Sequence, residues 1–84
     1  MTTLFQQQSE DMMIHTALKR VYADAAKSLM ERARYHRTYH NGTHARLITE
    51  LVNAARFQNH QARYHLAELR RIAIEQQGRA SADA

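Results

Sequence analysis

Apolar residues recur along this chain at steps of three and four. In the first half the series is Ile14, Leu18, Val21, Ala25, Leu29 and Ala33; in the second it is Leu51, Ala55, Ala62, Leu66, Leu69 and Ala73, with Gln58 filling the one polar place. Such spacing keeps side chains on one face of an α-helix, and no stretch alternates with the two-residue period of a strand. Proline is absent and the only glycines are Gly42 and Gly78. Glycine enters the left-handed conformation that ends helices without a Cβ penalty, so these two residues read as helix stops. The prediction is one all-α domain. Its first helix covers residues 9–40, a turn covers 41–43, a second helix covers 44–77, and the ends, 1–8 and 78–84, are flexible. Ser9, followed by Glu10 and Asp11, supplies an N-cap with acids in the first turn, while Thr3 with Gln6 is a weaker alternative start. Thr43 caps the second helix.

The two series fit each other as an antiparallel hairpin. With the turn near Gly42, residues whose numbers add to about 84 lie opposite one another. Leu29 then meets Ala55, Ala33 meets Leu51, Val21 meets Ala62, Leu18 meets Leu66 and Ile14 meets Leu69. Near the turn, large faces small, which lets layers interdigitate without overpacking. A repeat offset by 29 residues runs through both halves: Ala33-Arg34-Tyr35-His36 recurs as Ala62-Arg63-Tyr64-His65, and His15, Leu18 and Ala25-Ala26 match His44, Leu47 and Ala54-Ala55.

A hairpin of 84 residues has a thin core, and small domains compensate with disulfides, a metal or oligomerisation. Cysteine is absent, which closes the disulfide route and excludes thiol chemistry. Apolar residues also stand off the main stripe: Tyr22, Ala26 and Met30 flank it on the first helix, and Ala54, Phe57 and Tyr64 form a second line on the other. A two-helix hairpin has one inner seam, so this extra width needs another surface. The expected oligomer interface is Tyr22, Met30, Ala54, Phe57 and Tyr64, and pairing of two hairpins into a four-helix bundle is the economical arrangement.

Charge adds a second theme. Twelve Lys and Arg stand against eight Asp and Glu, a formal +4. Arg20, Lys27 and Arg34 are spaced by seven on the first helix, and Arg56, Arg63 and Arg70 by seven on the second, so each set lies along one line. Tyr35, Tyr39 and Tyr64 are interleaved with arginines in sequence. Guanidinium forks match phosphates and rings stack on unpaired bases, which makes these rows candidate nucleic-acid contacts. Asp24 with Lys27, Glu31 with Arg34, and Glu68 with Arg71 are helix neighbours able to neutralise part of the rows.

Other chemistries have little to rest on. His36, His40 and His44 are spaced by four, and a His-x3-His pair on one helix can chelate a transition metal. Gly42 interrupts the helix before His44, however, and no acidic or sulfur ligand is near, so polar residues at the hairpin tip are expected, with no metal and no cofactor. No nucleophile elbow, phosphate-cradling loop or paired-carboxylate cleft is legible, and the expectation is a protein without enzymatic activity. The N-terminus lacks the basic start and apolar run of a secretory signal, and no run of eighteen apolar residues is present, so a cytoplasmic address without a membrane partner is expected. The leading expectation is a homo-oligomeric interaction protein, most simply a dimer, docking on another protein as an adaptor, inhibitor or regulatory subunit. The alternative is a regulator that contacts nucleic-acid phosphates through the two arginine rows.

Overall fold

Thr3 starts the first helix. Its backbone N–H donates to Gln6 Oε1 at 2.9 Å, and its Oγ1 accepts from the Gln6 backbone N–H at 3.2 Å. Two N–H groups at the helix start are thereby satisfied reciprocally, in a capping box. In the computed structural model, which describes residues 3–40 and 44–82, α1 therefore spans Leu4–His40. Ser9 lies inside it rather than capping it. The second helix, α2, spans Ala45–Ala82, and the Ile48 N–H donates to the His44 carbonyl at 2.9 Å in its first turn. The chain reverses between the two helices. Asn41, Gly42 and Thr43, on which the predicted turn and cap fall, lie outside the described residues. Among the described residues there is no strand.

Gly78 does not stop α2. The helix continues through it to Ala82, and a Cβ built at Gly78 would meet nothing within 4 Å. The following Arg79 is tied to the other helix: its Nη1 donates to Gln8 Oε1 at 3.1 Å. The ends predicted to be flexible are therefore helical over 4–8 and 78–82. Gly78→Ala should raise the unfolding free energy measured in urea by a few tenths to about 1 kcal/mol, because alanine carries less entropic penalty in a helix. Destabilisation instead would place Gly78 in a left-handed cap.

The helices pack antiparallel in the predicted register. Ala33 clusters with Ile48 and Leu51, supported by Leu29 and Val52. Farther from the turn, His15 touches His65, Tyr22 stacks on His65, and Gln8 bonds Glu75. Each of these pairs has numbers adding to roughly 84.

The face that α1 turns inward differs from the predicted stripe. Val21 and Ile14 are 59% and 55% exposed, and Tyr22, Ala26 and His15 take the inner places. The reason is the period. From Ile14 to Ala33 the apolar series averages nearly four residues per step, whereas a seam that follows a partner along a long helix repeats every 3.5. Stepping back from Ala33 by alternate fours and threes gives Leu29, Ala26, Tyr22, Lys19, His15, Met12 and Gln8, all buried or half-buried. On α2 the same rule gives Ile48, Leu51, Ala55, Gln58, Ala62, His65, Leu69, Ile72 and Gln76, again all buried or half-buried. Leu66 is consequently half-buried at the seam's edge, and Ala73 is exposed.

This seam is apolar near the turn and mixed beyond it. Among the described residues the buried apolar side chains are Ala26, Ala33, Ile48, Leu51, Ala55, Ala62 and Ile72, mostly alanines, which contribute little area each. The molecule measures 62 × 24 × 14 Å along its principal axes: a single layer of two helices, with both broad faces open.

Candidate interaction faces

The 3.5-residue seam fixes what each flank of the hairpin carries, because positions on either side of it follow from helix geometry. On one flank of α1 lie Arg20, Lys27, Arg34 and Arg37, and on the adjoining flank of α2 lie Arg56, Arg63 and Arg70. Grooves on this side confirm the placement. One is lined by Ala23, Lys27, Met30, Glu31 and Arg34 together with Asn59. The next is lined by Lys19 and Ala23 with Asn59, Arg63 and Leu66. The two predicted arginine rows thus share one face, joined by Lys19 and Arg37, which the sequence reading did not single out. Among the described residues, ion pairs are confined to Arg46–Glu50, Arg71–Glu68 and Arg71–Glu75. The expected Glu68–Arg71 pair forms, at 2.8 Å; Asp24–Lys27 and Glu31–Arg34 are not among them. Glu68, and after it Glu75, hold the Arg71 guanidinium above its ordinary pKa, well away from the basic face. Glu31 borders that face from the outer edge of α1; among the described residues no other acid lines these two grooves.

The opposite flank is apolar. It carries Leu18, Val21, Ala25 and Ser28 from α1 and Ala54, Phe57, Gln61 and Tyr64 from α2, with Ile14 extending it. Of these, Ile14, Val21, Phe57 and Tyr64 are more than half exposed. Its middle holds no charged residue. Asp11, Glu68 and Arg71 lie toward one end, and Arg32 and Glu50 toward the other. Tyr35 and Tyr39 are also on this side, with rings 4.9 Å apart.

The residues predicted for an oligomer interface therefore divide. Ala54, Phe57 and Tyr64 share the apolar flank. Tyr22 lies in the seam with its ring stacked on His65, centroids 5.6 Å apart at 5°, and Met30 lines the groove on the basic side. Ile14 and Val21, read as core from their spacing, join the apolar face instead. The tyrosines that stand among arginines in sequence are separated from the rows in space, because Arg34-Tyr35 and Arg63-Tyr64 each span the two flanks.

In the far half of the seam polar pairs join the buried Ile72 and Ala62. His15 Nδ1 and His65 Nδ1 are 2.7 Å apart, one ring donating and the other accepting, and Tyr64 meets both rings edge-on. Gln8 Nε2 donates to Glu75 Oε2 at 3.2 Å. Removing one partner of such a bond leaves a polar atom without its mate, whereas replacing both with apolar groups does not. His15→Ala should therefore destabilise the hairpin by about 1–2 kcal/mol, while His15→Leu with His65→Leu should leave the thermal midpoint unchanged or higher. Additive losses in the double variant would contradict this role.

No group of three or more potential metal ligands is present among the described residues. The rings of His36 and His44 stack, with centroids 5.3 Å apart, and the His40 side chain lies outside the described residues. Among the described residues no helix is long and apolar enough to cross a membrane. Comparison with protein-family models, curated proteins and solved structures finds no match.

Proposed function

We propose that the protein is a non-enzymatic interaction module that works as a pair, two hairpins covering each other's apolar faces in a four-helix bundle. The observation that carries this reading is the uncharged patch centred on Val21, Phe57 and Tyr64, with charges at its ends. Interfaces have this anatomy, an apolar centre within a polar rim. Size agrees with it. The broad face of a body 62 × 24 Å offers roughly 1,500 Å², and a stable interface needs about 800 Å² from each partner.

A second copy is the favoured occupant because the patch can match itself. Two-fold pairing sets the same surface on both sides, and here aliphatic Val21 and Ile14 of one helix adjoin aromatic Phe57 and Tyr64 of the other. A core made mostly of alanines also leaves a lone hairpin little burial to stand on. In this role the protein serves as an adaptor, inhibitor or regulatory subunit whose remaining surface meets a further partner. Sedimentation equilibrium at micromolar concentration should give twice the 9.8 kDa chain mass. A cooperatively folded species at the single-chain mass would refute the pairing.

A further inference from the structure

We infer that the basic face binds the phosphate backbones of double-stranded nucleic acid without reading their sequence. Pairing through the apolar flank leaves this face open, but a single hairpin carries it as well, so the inference does not depend on the pair. Arg20, Lys27 and Arg34 of α1 lie beside Arg56, Arg63 and Arg70 of α2, and none of the six is in an ion pair among the described residues. Successive members of each row are seven residues apart, about 10 Å along a helix. In the observed register Lys27 lies level with Arg56, and Arg20 with Arg63. From Arg70 at one end to Arg37 at the other, the cations cover about 35 Å, close to one turn of duplex.

Two observations favour duplex over single strands. Tyr35, Tyr39 and Tyr64 occupy the opposite flank, so among the described residues the face has no stacking platform of the kind that holds unpaired bases. The repeat also gives the face an approximate two-fold symmetry. Ala33-Arg34 and Ala62-Arg63 take the same places on helices that run in opposite directions, as do Lys27 and Arg56. Cations related by a two-fold suit the two backbones of a duplex, which are themselves related by two-folds. A lipid surface is disfavoured because Met13 is the one large exposed apolar side chain in line with the rows among the described residues, whereas Ile14, Val21, Phe57 and Tyr64, which insertion would need, lie on the other flank. Guanidinium contacts to phosphate set position and affinity but carry no base information.

Fluorescence anisotropy at low salt tests the inference with five probes: 20-base-pair duplexes of two sequences, a 20-nucleotide single strand, polyglutamate, and phosphatidylserine-containing vesicles. Both duplexes should bind equally and more tightly than the other probes, with affinity falling steeply as salt rises. Arg56→Gln with Arg63→Gln and Arg70→Gln should flatten the slope of log affinity against log salt by about 2.7. Circular dichroism of that variant should be unchanged. Arg46→Gln with Arg71→Gln, off the face, should leave the slope as it was. Absence of duplex binding, equal or tighter binding of any other probe, or equal slopes for both variants would overturn the assignment. If the triple variant loses helicity, Lys27→Gln with Arg34→Gln provides the same test from α1, with an expected flattening of about 1.8.

Discussion

Phe57→Glu should turn the pair into monomers while leaving each hairpin helical. Phe57 is 58% exposed in the single chain, so glutamate there meets water and costs the hairpin little. In the pair the same carboxylate would be buried at the centre of an uncharged patch, where an unpaired charge is expensive. Central aromatic anchors commonly contribute 2 kcal/mol or more, so the dissociation constant should rise by at least roughly thirtyfold. Sedimentation velocity across a dilution series measures this directly. Arg63→Gln, on the other face, provides the control and should sediment as the parent does. An unchanged association for Phe57→Glu would move the interface away from this flank.

The second large effect concerns the seam. Leu51 is buried against Ala33 and Ile48, and Leu51→Ala should cost about 2–5 kcal/mol, the loss of a core leucine plus the cavity left behind. Leu66 belongs to the predicted stripe as fully as Leu51 does, yet the seam passes it by one residue. Leu66→Ala should therefore cost no more than about 1.5 kcal/mol. Urea unfolding of the two variants separates the readings: equal losses would favour the apolar stripe of the sequence over the 3.5-residue seam.

That contrast also marks how much was legible in the sequence. Two helices, their antiparallel direction and their register followed from period and from the position of Gly42, and Leu29, Ala33, Leu51, Ala55 and Ala62 are inside as expected. What misled was the assumption that the most apolar line must be the seam. Ala33 and Leu29 belong to both lines, but with distance from the turn the lines separate by one position. The seam then runs through His15 and Lys19 while Ile14 and Val21 are left outside. The polar stretch of the seam was invisible to a reading that scored hydrophobicity alone; a strict 3.5-residue count from Ala33 would have found it. The same count assigns the flanks. It would have shown that the two arginine rows lie together and that Tyr35 and Tyr64 do not lie with them. Helix ends were misjudged for local reasons: the Thr3–Gln6 box outcompeted Ser9, and an exposed glycine can sit within a helix when nothing requires the chain to turn.

In the proposed pair the two faces differ in use, the apolar one covered by a second copy and the basic one open. The natural chain has no cysteine, so single thiols report on each face cleanly. Ser28 and Ala23 are both exposed in the isolated hairpin, Ser28 on the apolar flank and Ala23 on the basic one. Alkylation rates of Ser28→Cys and Ala23→Cys, measured from nanomolar to high micromolar protein, provide the most direct test. The thiol at position 28 should become strongly protected as concentration rises, and the thiol at position 23 should react at one rate throughout. Equal rates at every concentration, or protection at position 23 instead, would contradict the account.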